Sequence, residues 1–239
     1  MAYAFDVMAP VYIREDEHWG SDLDLLKEAF RRVLEPHVAT RYLDVGCGPG
    51  FHLANVRRLY PESSVHVAGI DTSAAMLGCA REELQRFGLS DTVKLSEIDI
   101  LEPRELGNYS REVISFLNNG LGNLFGDGGE NLSLLRWRAI GNIRRLLSAK
   151  GRVVISVYNL ERLDPKHYGT NLRISSCMTD IEHGEIFVEY RMASGNWAHT
   201  TYSHWFTQYE LRQLLEWNGF KIELLEQRRA RIVAIARAE

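Results

Sequence analysis

A glycine-rich loop follows the first strand-like run of the chain. Residues 43–50 read LDVGCGPG, so that Asp44 stands two positions before Gly46, and Gly48 and Gly50 follow at alternate positions. Glycine lets the backbone turn sharply and lets a ligand approach without a Cβ in its way. The helical pattern that comes next would add the free N–H groups and positive potential of a helix N-terminus. This arrangement predicts a ligand-binding loop between a strand and a helix.

The spacing of the glycines excludes two common kinds of nucleotide-binding loop. A dinucleotide fingerprint is G-x-G-x-x-G, and a P-loop needs Lys directly after its last glycine, whereas this loop is G-x-G-x-G with no Lys after Gly50. The eight His residues show no H-E-x-x-H spacing and the three Cys residues no C-x-x-C spacing, so the sequence predicts no metal site. Cys47 has no histidine in register, so we do not expect it to act as a nucleophile.

The elements that must position this loop alternate between short apolar runs and longer helical patterns. Such alternation predicts parallel strands joined by right-handed crossover helices, which cover both faces of the sheet. The predicted strands cover 41–46, 65–71, 92–99, 112–117 and 152–158, and the predicted helices cover 21–34, 51–60, 73–88 and 130–151. Three further runs, at 173–178, 184–192 and 199–206, predict an antiparallel insertion. A helix over 208–219 and strands over 220–227 and 230–237 complete the chain.

Composition excludes several classes of protein. The chain has 239 residues, with 28 Lys and Arg against 32 Asp and Glu, which gives a net charge of -4. This balance argues against a protein that binds nucleic acid mainly through phosphate contacts. No apolar run approaches the ~20 residues that cross a bilayer, and the N-terminus lacks the pattern of a secretory signal. Three cysteines indicate a reducing compartment. We therefore expect a cytoplasmic globular protein with no membrane or nucleic-acid partner.

The loop and the strand ends together resemble motif I and the following motifs of the class I S-adenosylmethionine-dependent methyltransferases, of the small-molecule type. Asp71 ends the second strand, where that family uses an acid for the ribose hydroxyls, and Asp99 ends the third, where an acid meets the adenine amino group. Met76 lies where the family packs a Met against the nucleoside. Residues 116–119 end the fourth strand, beside which the methionyl group passes. The resemblance covers nearly all of the chain outside 160–204.

The resemblance implies a cofactor, S-adenosylmethionine, with S-adenosylhomocysteine as the product. It also implies the residues that hold the cofactor, which are Asp44, Gly46, Cys47, Gly48, Gly50, Asp71, Thr72, Met76, Asp99, Ile100 and Asn118.

The resemblance further implies a fold and a division of the chain. We expect an α/β fold with a seven-stranded, mostly parallel Rossmann-like sheet, helices on both faces, and an antiparallel β insertion before the last helix. All 239 residues would form one methyltransferase domain. Its parts would be an N-terminal lid with helices (1–40), a cofactor-binding core (41–159), a substrate or lid insertion (160–206), and a closing helix with two strands (207–239).

The acceptor pocket should use residues that the cofactor motifs leave over. The segment FLNNGLGNL (116–124) is similar to the fourth-strand loop of the ergothioneine-pathway histidine N-methyltransferases, in which the Asn that matches Asn123 lies beside the amine substrate. His204 is the candidate base for a hydroxyl acceptor. With these two, Tyr12 is a candidate catalytic residue. The candidate substrate-binding residues are Trp19, Asn119, Tyr158, Asn159 and Trp205.

The aromatic residues of the insertion have more than one interpretation. Residues such as Tyr168, Tyr190, Trp197 and Tyr202 suit an enclosed, partly apolar pocket for a small molecule. They suit equally the insertion's own small core, or the interface of a homodimer formed through 160–206.

The sequence leaves the acceptor open. A small-molecule acceptor, with nitrogen slightly favoured over oxygen, fits the motif series on an acidic chain. The alternatives are an RNA or protein methyltransferase, and a methyltransferase-fold protein that has lost catalysis and serves as a binding or regulatory subunit. Intact Gly46, Gly48, Gly50, Asp71 and Asp99 argue against the last of these.

Overall fold

The structure is a computed structural model. It describes residues 20–35, 38–61, 64–107, 110–125, 131–163, 172–175, 179–191 and 197–239. None of the helices in these ranges is long and apolar enough to cross a membrane.

A seven-stranded sheet forms the centre of the fold, in the order β3-β2-β1-β4-β5-β10-β9. Its strands are β1 (Thr40–Val45), β2 (Val65–Asp71), β3 (Val93–Glu97), β4 (Arg111–Phe116), β5 (Leu147–Tyr158), β9 (Phe220–Arg228) and β10 (Arg231–Ala238). The first five strands run parallel, and β10 pairs antiparallel with both β5 and β9. This confirms the predicted mostly parallel α/β sheet.

Five helices pack on the two faces of the sheet. They are α1 (Gly20–Val33), α2 (Phe51–Leu59), α3 (Ala74–Arg86), α4 (Leu132–Leu146) and α5 (Gln208–Trp217). Three of them start at a side-chain cap, because Ser73, Asn131 and Thr207 each accept a hydrogen bond from a backbone N–H in the first turn.

Each face of the sheet has its own apolar core. Leu25, Leu53 and Leu77, from α1, α2 and α3, belong to one cluster of buried side chains. Ile140 and Leu211, from α4 and α5, belong to the other. The helices therefore cover both faces, as the crossover pattern predicts.

One predicted boundary is wrong. The helical pattern over 130–151 predicts a helix up to Gly151, whereas α4 ends at Leu146 and Leu147 begins β5. Leu147 is extended and buried, and it pairs with Arg111 of β4 across an irregularity in the register. Pairing with the neighbouring strand thus overrides the local helix propensity of the segment LSAK.

A second, antiparallel sheet lies between β5 and α5 in the sequence. It contains β6 (Leu172–Ile174), β7 (Glu185–Arg191) and β8 (Trp197–His204), in that order. This confirms the antiparallel insertion, with a β6 shorter than the predicted run at 173–178. Ile186, Val188 and Trp205 form a small buried core of their own, against which Tyr158 and Leu160 pack.

Candidate functional site

A cavity of about 300 Å³ opens at the carboxyl ends of β1 to β4. Its walls come from the loops that follow these four strands and from the first turns of α2 and α3. The described lining residues are Asp44, Val45, Gly46, Cys47, Gly48, Pro49, His52, Asp71, Thr72, Met76, Ile98, Asp99, Ile100, Leu101, Phe116, Leu117, Asn118, Gly120, Asn123, Leu124 and Phe125. The place is the one where open α/β sheets bind ligands. All of the predicted cofactor residues except Gly50 are in this lining.

The glycine loop after β1 depends on backbone conformations that favour glycine. Gly46, Gly48 and Gly50 have φ angles of 63°, 51° and 81°. The loop is tied to β2, because Cys47 N donates to Ile70 O at 3.0 Å and Gly48 N donates to an Asp71 carboxylate oxygen at 2.8 Å. These bonds within the chain fix the shape of the loop.

Gly50 lies outside the cavity lining and has a packing role. A Cβ on Gly50 would lie 2.9 Å from the Cβ of Ala80 and 3.2 Å from its Cα, so that α2 and α3 approach closely only because residue 50 has no side chain. This is the close approach for which glycine is required.

Gly50→Ala should destabilise the unliganded protein more than Gly48→Ala does. Both positions have positive φ, so each substitution carries the backbone strain of about 1–2 kcal/mol. Only Gly50 also meets Ala80, which adds an overpacking cost of about 1–3 kcal/mol, while a Cβ on Gly48 has no described atom within 4 Å. Chemical denaturation of the two variants measures the difference, and equal losses would refute the packing role.

Asp71 has the geometry of an acceptor for hydroxyl groups. Its carboxylate accepts from Gly48 N at 2.8 Å and from Ser73 N at 2.9 Å. A carboxylate only accepts hydrogen bonds, so Asp71 presents acceptor oxygens in the lining of the cavity. Met76, in the first turn of the adjacent α3, is buried in the lining. At the next strand end, Asp99 accepts from Leu101 N at 2.8 Å.

Asp44 lies at the bottom of the cavity and is almost wholly buried. Ser115 Oγ donates to its Oδ1 at 2.5 Å and in turn contacts Tyr42 OH at 2.7 Å. Its Oδ2 has no hydrogen-bond partner among the described residues. Burial raises the pKa of Asp44 to about 7, the charge of Asp71 adds to the rise, and the bond from Ser115 opposes it. An unsatisfied buried carboxylate oxygen is a costly feature that a cationic ligand would relieve.

His52 is a cavity residue that the sequence analysis missed. It is buried, with Nδ1 3.9 Å from Asp44 Oδ2 and Nε2 3.9 Å from Asp22 Oδ2. Burial lowers the pKa of His52 to about 3, and the charge of Arg231 lowers it further, so the imidazole is neutral at neutral pH. The position of His52 one residue after the start of α2, on the side of the cavity, was its only sequence signal.

Asn118 and Asn119 both follow β4 but have different surroundings. Asn118 lines the cavity, and its Oδ1 accepts from Arg231 at 2.8 Å. Asn119 is fully buried and outside the lining. Its Oδ1 accepts from Tyr158 N at 3.0 Å, and its Nδ2 donates to Ser203 Oγ at 2.8 Å. The structure therefore gives Asn119, predicted to bind substrate, a role in joining the β4 loop to β5 and β8.

Asn123 lies in the cavity wall, as expected for a residue that contacts the acceptor. Its Oδ1 is 3.3 Å from Asn119 Nδ2, and its backbone N–H donates to Asn119 O at 2.9 Å. The fixed Asn119 thus sets the position of Asn123. Leu124 and Phe125 continue the same wall.

His204, the predicted base, is not among the cavity residues. It is buried, with Nδ1 3.2 Å from Glu185 Oε1 and Nε2 2.7 Å from Glu210 Oε1. Both ring nitrogens therefore face carboxylates, and no nitrogen is left to take a proton from an acceptor. Arg136 of α4 adds to the cluster by donating to Tyr202 OH at 2.8 Å. The cluster joins the insertion to α4 and α5.

The pH dependence of stability checks this role. Burial by itself lowers the pKa of His204, but the hydrogen bonds to Glu185 and Glu210 outweigh it and raise the pKa above 6.5. The stabilisation is then fully present below pH ~6.5 and is lost as the pH rises through the raised value. We expect His204→Gln to lose about 1.5–3 kcal/mol near pH 6 and less near pH 9.

Thermal unfolding over this pH range measures the effect, and His183→Gln is the matched control. His183 also pairs with an acid, Asp180 at 2.8 Å, but it is exposed and should contribute little. A pH-independent loss in His204→Gln would contradict the assignment.

The other predicted acceptor residues fall in three places. Tyr158 and Trp205 pack against each other with ring centroids 5.0 Å apart, at the insertion's core. Asn159 is buried, and its Oδ1 accepts from Glu161 N at 3.0 Å. None of the three lines the cavity.

Tyr12, Trp19 and Tyr168 lie outside the described residues, as do the side chains of Tyr190 and Trp197. Tyr202 is buried on the insertion, and its ring centroid is 5.4 Å from that of Phe125 in the cavity wall.

Comparisons with known proteins give the family of the chain. A sequence model of a family described as "Methyltransferase domain" matches residues 36–219, about three quarters of the chain. A search of curated proteins found no match.

Solved structures share the fold at low sequence identity. The CcbJ methyltransferase of Streptomyces caelestis has a TM-score of 0.71 and 18% identity, with 97% of this chain and 96% of that one covered. CalS10 of Micromonospora echinaspora, an amino pentose methyltransferase solved with S-adenosylmethionine, has a TM-score of 0.69 and 20% identity, with 98% and 97% covered. The sugar N-methyltransferase KedS8 of a Streptoalloteichus species has a TM-score of 0.65 and 18% identity, with 96% and 92% covered.

The strand order, the glycine loop with acids at the next two strand ends, and the match over residues 36–219 agree with one another. The chain therefore belongs to the methyltransferase domain family.

Proposed function

We propose that the protein transfers the methyl group of S-adenosylmethionine to a nitrogen atom of a small molecule. The observation that carries this proposal is the chemistry of the cavity wall after β4. Its described residues include Phe116, Asn123, Leu124 and Phe125, and no described side chain of this wall can act as a base. The titratable groups of the described lining, Asp44, Cys47, His52, Asp71 and Asp99, come from β1 to β3 and α2 instead.

The residues present fit the cofactor. The loop with Gly46 and Gly48 leaves room for close approach of a ligand, since neither position has a Cβ. Asp71 places a carboxylate, the acceptor that ribose hydroxyls need, in the lining, and Asp99 lies beyond the next strand end, where an adenine amino group would need an acceptor. At the other end, Asp44 Oδ2 is a buried acceptor without a described partner, which suits an ammonium group. The volume of about 300 Å³ is at the lower limit of small-molecule pockets.

The chain's own residues act by binding and orientation. The bound cofactor supplies an activated methyl group next to a positively charged sulfur. Asp71 and Asp99 hold the nucleoside of the cofactor, and Asp44 and Asn118 hold its amino-acid end. Phe116 and Leu117 exclude water from the space between these two ends. Asn123, fixed through Asn119, orients the acceptor. Positioning of two reactants in a site shielded from water is the main catalytic contribution available to this wall.

A nitrogen acceptor suits a wall whose described residues include no base. An amine that has lost its proton to solvent has a free lone pair, whereas a hydroxyl acceptor needs a group within hydrogen-bond reach to take its proton. CalS10 is an amino pentose methyltransferase and KedS8 is a sugar N-methyltransferase, and their shared fold with this chain supports this choice of acceptor class.

The pH profile of turnover tests the proposal. If no protein group takes the proton, kcat/KM for a series of amine acceptors should rise with pH and level off at the pKa of each amine. The midpoint should therefore move from one acceptor to another. A midpoint that stays fixed across the series would mean that a protein base titrates instead, and would contradict the proposal.

Asn123→Ala should mainly impair the use of the acceptor. Its side chain is in the wall after β4 and contacts Asn119 at 3.3 Å. We expect kcat/KM for the acceptor to fall about 10- to 100-fold, the size of one lost positioning contact, with the dissociation constant of S-adenosylhomocysteine within twofold of the wild type. Steady-state kinetics and calorimetry measure the two effects. Equal losses in both would refute the assignment to the acceptor.

Two further expectations from the sequence stay predictions. A homodimer formed through residues 160–206 would leave the buried core of Ile186, Val188 and Trp205 intact and use other side chains of the insertion. A cytoplasmic location follows only from the composition of the chain.

A further inference from the structure

A closed ring of hydrogen bonds lies beside the cavity and joins four separate elements. Arg231 of β10 donates through one guanidinium nitrogen to Asp22 Oδ2 of α1 at 2.7 Å and through the other to Asn118 Oδ1 at 2.8 Å. Ser156 Oγ of β5 donates to the same Asp22 oxygen at 3.1 Å and accepts from Asn118 N at 2.8 Å. Of these four residues, only Asn118 lines the cavity.

The ring fixes which end of the Asn118 amide faces the ligand. A guanidinium group has donors and no acceptor, so the amide atom that meets Arg231 must be the oxygen. The amide nitrogen then lies on the side away from Arg231. Asn118 is half-buried and in the cavity wall, so the exposed part of this residue borders the ligand space.

The backbone of this segment is also held in an uncommon conformation. Asn118 and Asn119 have φ angles of 49° and 61°, in the left-handed region that few residues other than glycine adopt. Ser156 holds both of them, since its Oγ accepts from Asn118 N and its carbonyl accepts from Asn119 N at 2.9 Å. Local strain of this kind persists when the surroundings determine it fully, and it is typical of ligand-binding segments.

The sheet order indicates which part of the cofactor Asn118 meets. Asp71 at the end of β2 and Asp99 just beyond β3, which suit the nucleoside, lie on one side of β1, and Asn118 follows β4 on the other side. The amino-acid end of the cofactor therefore belongs near Asn118. That end carries an ammonium and a carboxylate, and the cavity offers a buried acceptor, Asp44 Oδ2, together with the donor of Asn118.

We propose that Arg231 and Asp22 are positioning residues that orient the Asn118 amide so that its nitrogen donates a hydrogen bond to the carboxylate of the cofactor's methionyl group. The inference rests on the assignment of this cavity to S-adenosylmethionine in the proposed function. Asn118 is the binding residue, and Arg231 acts through it.

Asn118→Asp keeps the oxygen acceptor of the side chain and removes its N–H donor. The new carboxylate keeps an oxygen acceptor for Arg231, while the cavity loses its donor and gains a negative charge. Calorimetry with two ligands, S-adenosylmethionine and decarboxylated S-adenosylmethionine, measures the consequence, because the second ligand lacks only the carboxylate. We expect the variant to bind S-adenosylmethionine at least tenfold more weakly, the size of a lost hydrogen bond to a charged group, and to bind the decarboxylated ligand within threefold of the wild type.

Arg231→Lys is the second variant, because a single ammonium cannot replace both guanidinium contacts. It should weaken the binding of S-adenosylmethionine more than threefold and the binding of the decarboxylated ligand by less. This variant tests the inference even if Asn118→Asp does not fold. Arg237→Lys is the matched control, since Arg237 lies on the same strand and pairs with Glu223 at 3.6 Å. We expect it to change neither affinity.

The outcomes separate the inference from the proposed function. Equal losses for the two ligands in Asn118→Asp or Arg231→Lys, or unchanged affinity for S-adenosylmethionine, would overturn the inference alone. Asp71→Asn should weaken both ligands equally, because both contain the ribose. A wild-type protein that binds neither ligand would refute the cofactor assignment itself.

Discussion

The Asp71→Ala variant is expected to bind S-adenosylhomocysteine roughly 30- to 160-fold more weakly than the wild type, a loss of about 2–3 kcal/mol. The carboxylate of Asp71 is the acceptor at the end of β2, and it also holds Gly48 N at 2.8 Å and Ser73 N at 2.9 Å. Its removal leaves the ribose hydroxyls without an acceptor and releases the glycine loop. Isothermal titration calorimetry measures the dissociation constants.

Glu97→Ala is the control for this prediction. Glu97 pairs in register with Asp71 on the neighbouring β3, but it is exposed and outside the cavity lining. Its loss should change the affinity less than twofold. The affinity of Asp71→Asn should lie between those of Asp71→Ala and Glu97→Ala, since Asn keeps one oxygen acceptor. An Asp71→Ala variant that binds as tightly as the wild type would refute the role of this carboxylate.

Arg231→Met is expected to lower the free energy of unfolding by about 3–5 kcal/mol. Arg231 is 8% exposed and its partner Asp22 is 0% exposed, so removal of the cation leaves a buried carboxylate without its counter-charge. Burial already raises the pKa of Asp22, and the charge of Arg231 opposes that rise. Chemical denaturation at neutral pH measures the loss.

Two variants show whether the loss comes from the unpaired charge. Arg237→Met removes an Arg from the same strand whose pair with Glu223 is long and partly exposed, and it should cost less than about 1 kcal/mol. Asp22→Leu combined with Arg231→Met should recover part of the stability, because it removes both members of the buried pair. A double variant less stable than Arg231→Met would contradict this explanation.

The side of the cavity formed by the glycine loop was predictable from local sequence. The glycine loop follows β1, Asp71 ends β2 and Asp99 lies two residues beyond β3, and parallel strands bring their carboxyl ends to one edge. Each of these residues could therefore be predicted from its position next to a strand in the sequence. Gly50 shows the limit of this reasoning, since its spacing placed it in the motif while its actual contact is with Ala80 of α3.

The rest of the cavity depends on contacts between distant parts of the chain. Asp22 and Arg231 lie 209 residues apart and meet only after α1 and β10 pack on the sheet. No pattern within a short window contains that pair, so neither residue was a candidate. His204 shows the converse case, because a histidine beside a returning strand gave no sign that Glu185 and Glu210 would occupy both ring nitrogens.

Transfer of a deuterated methyl group to paired acceptors tests the central claim most directly. The protein is incubated with S-adenosylmethionine labelled in its methyl group and with a panel of small molecules supplied as matched pairs, an amine and its hydroxyl counterpart, and RNA and protein acceptors are run beside them. Mass spectrometry then locates the label. Label on the nitrogen of an amine, with its hydroxyl counterpart unlabelled, is the result that this structure predicts. Label on the hydroxyl compound, on RNA or on protein, with none on the amines, would contradict it.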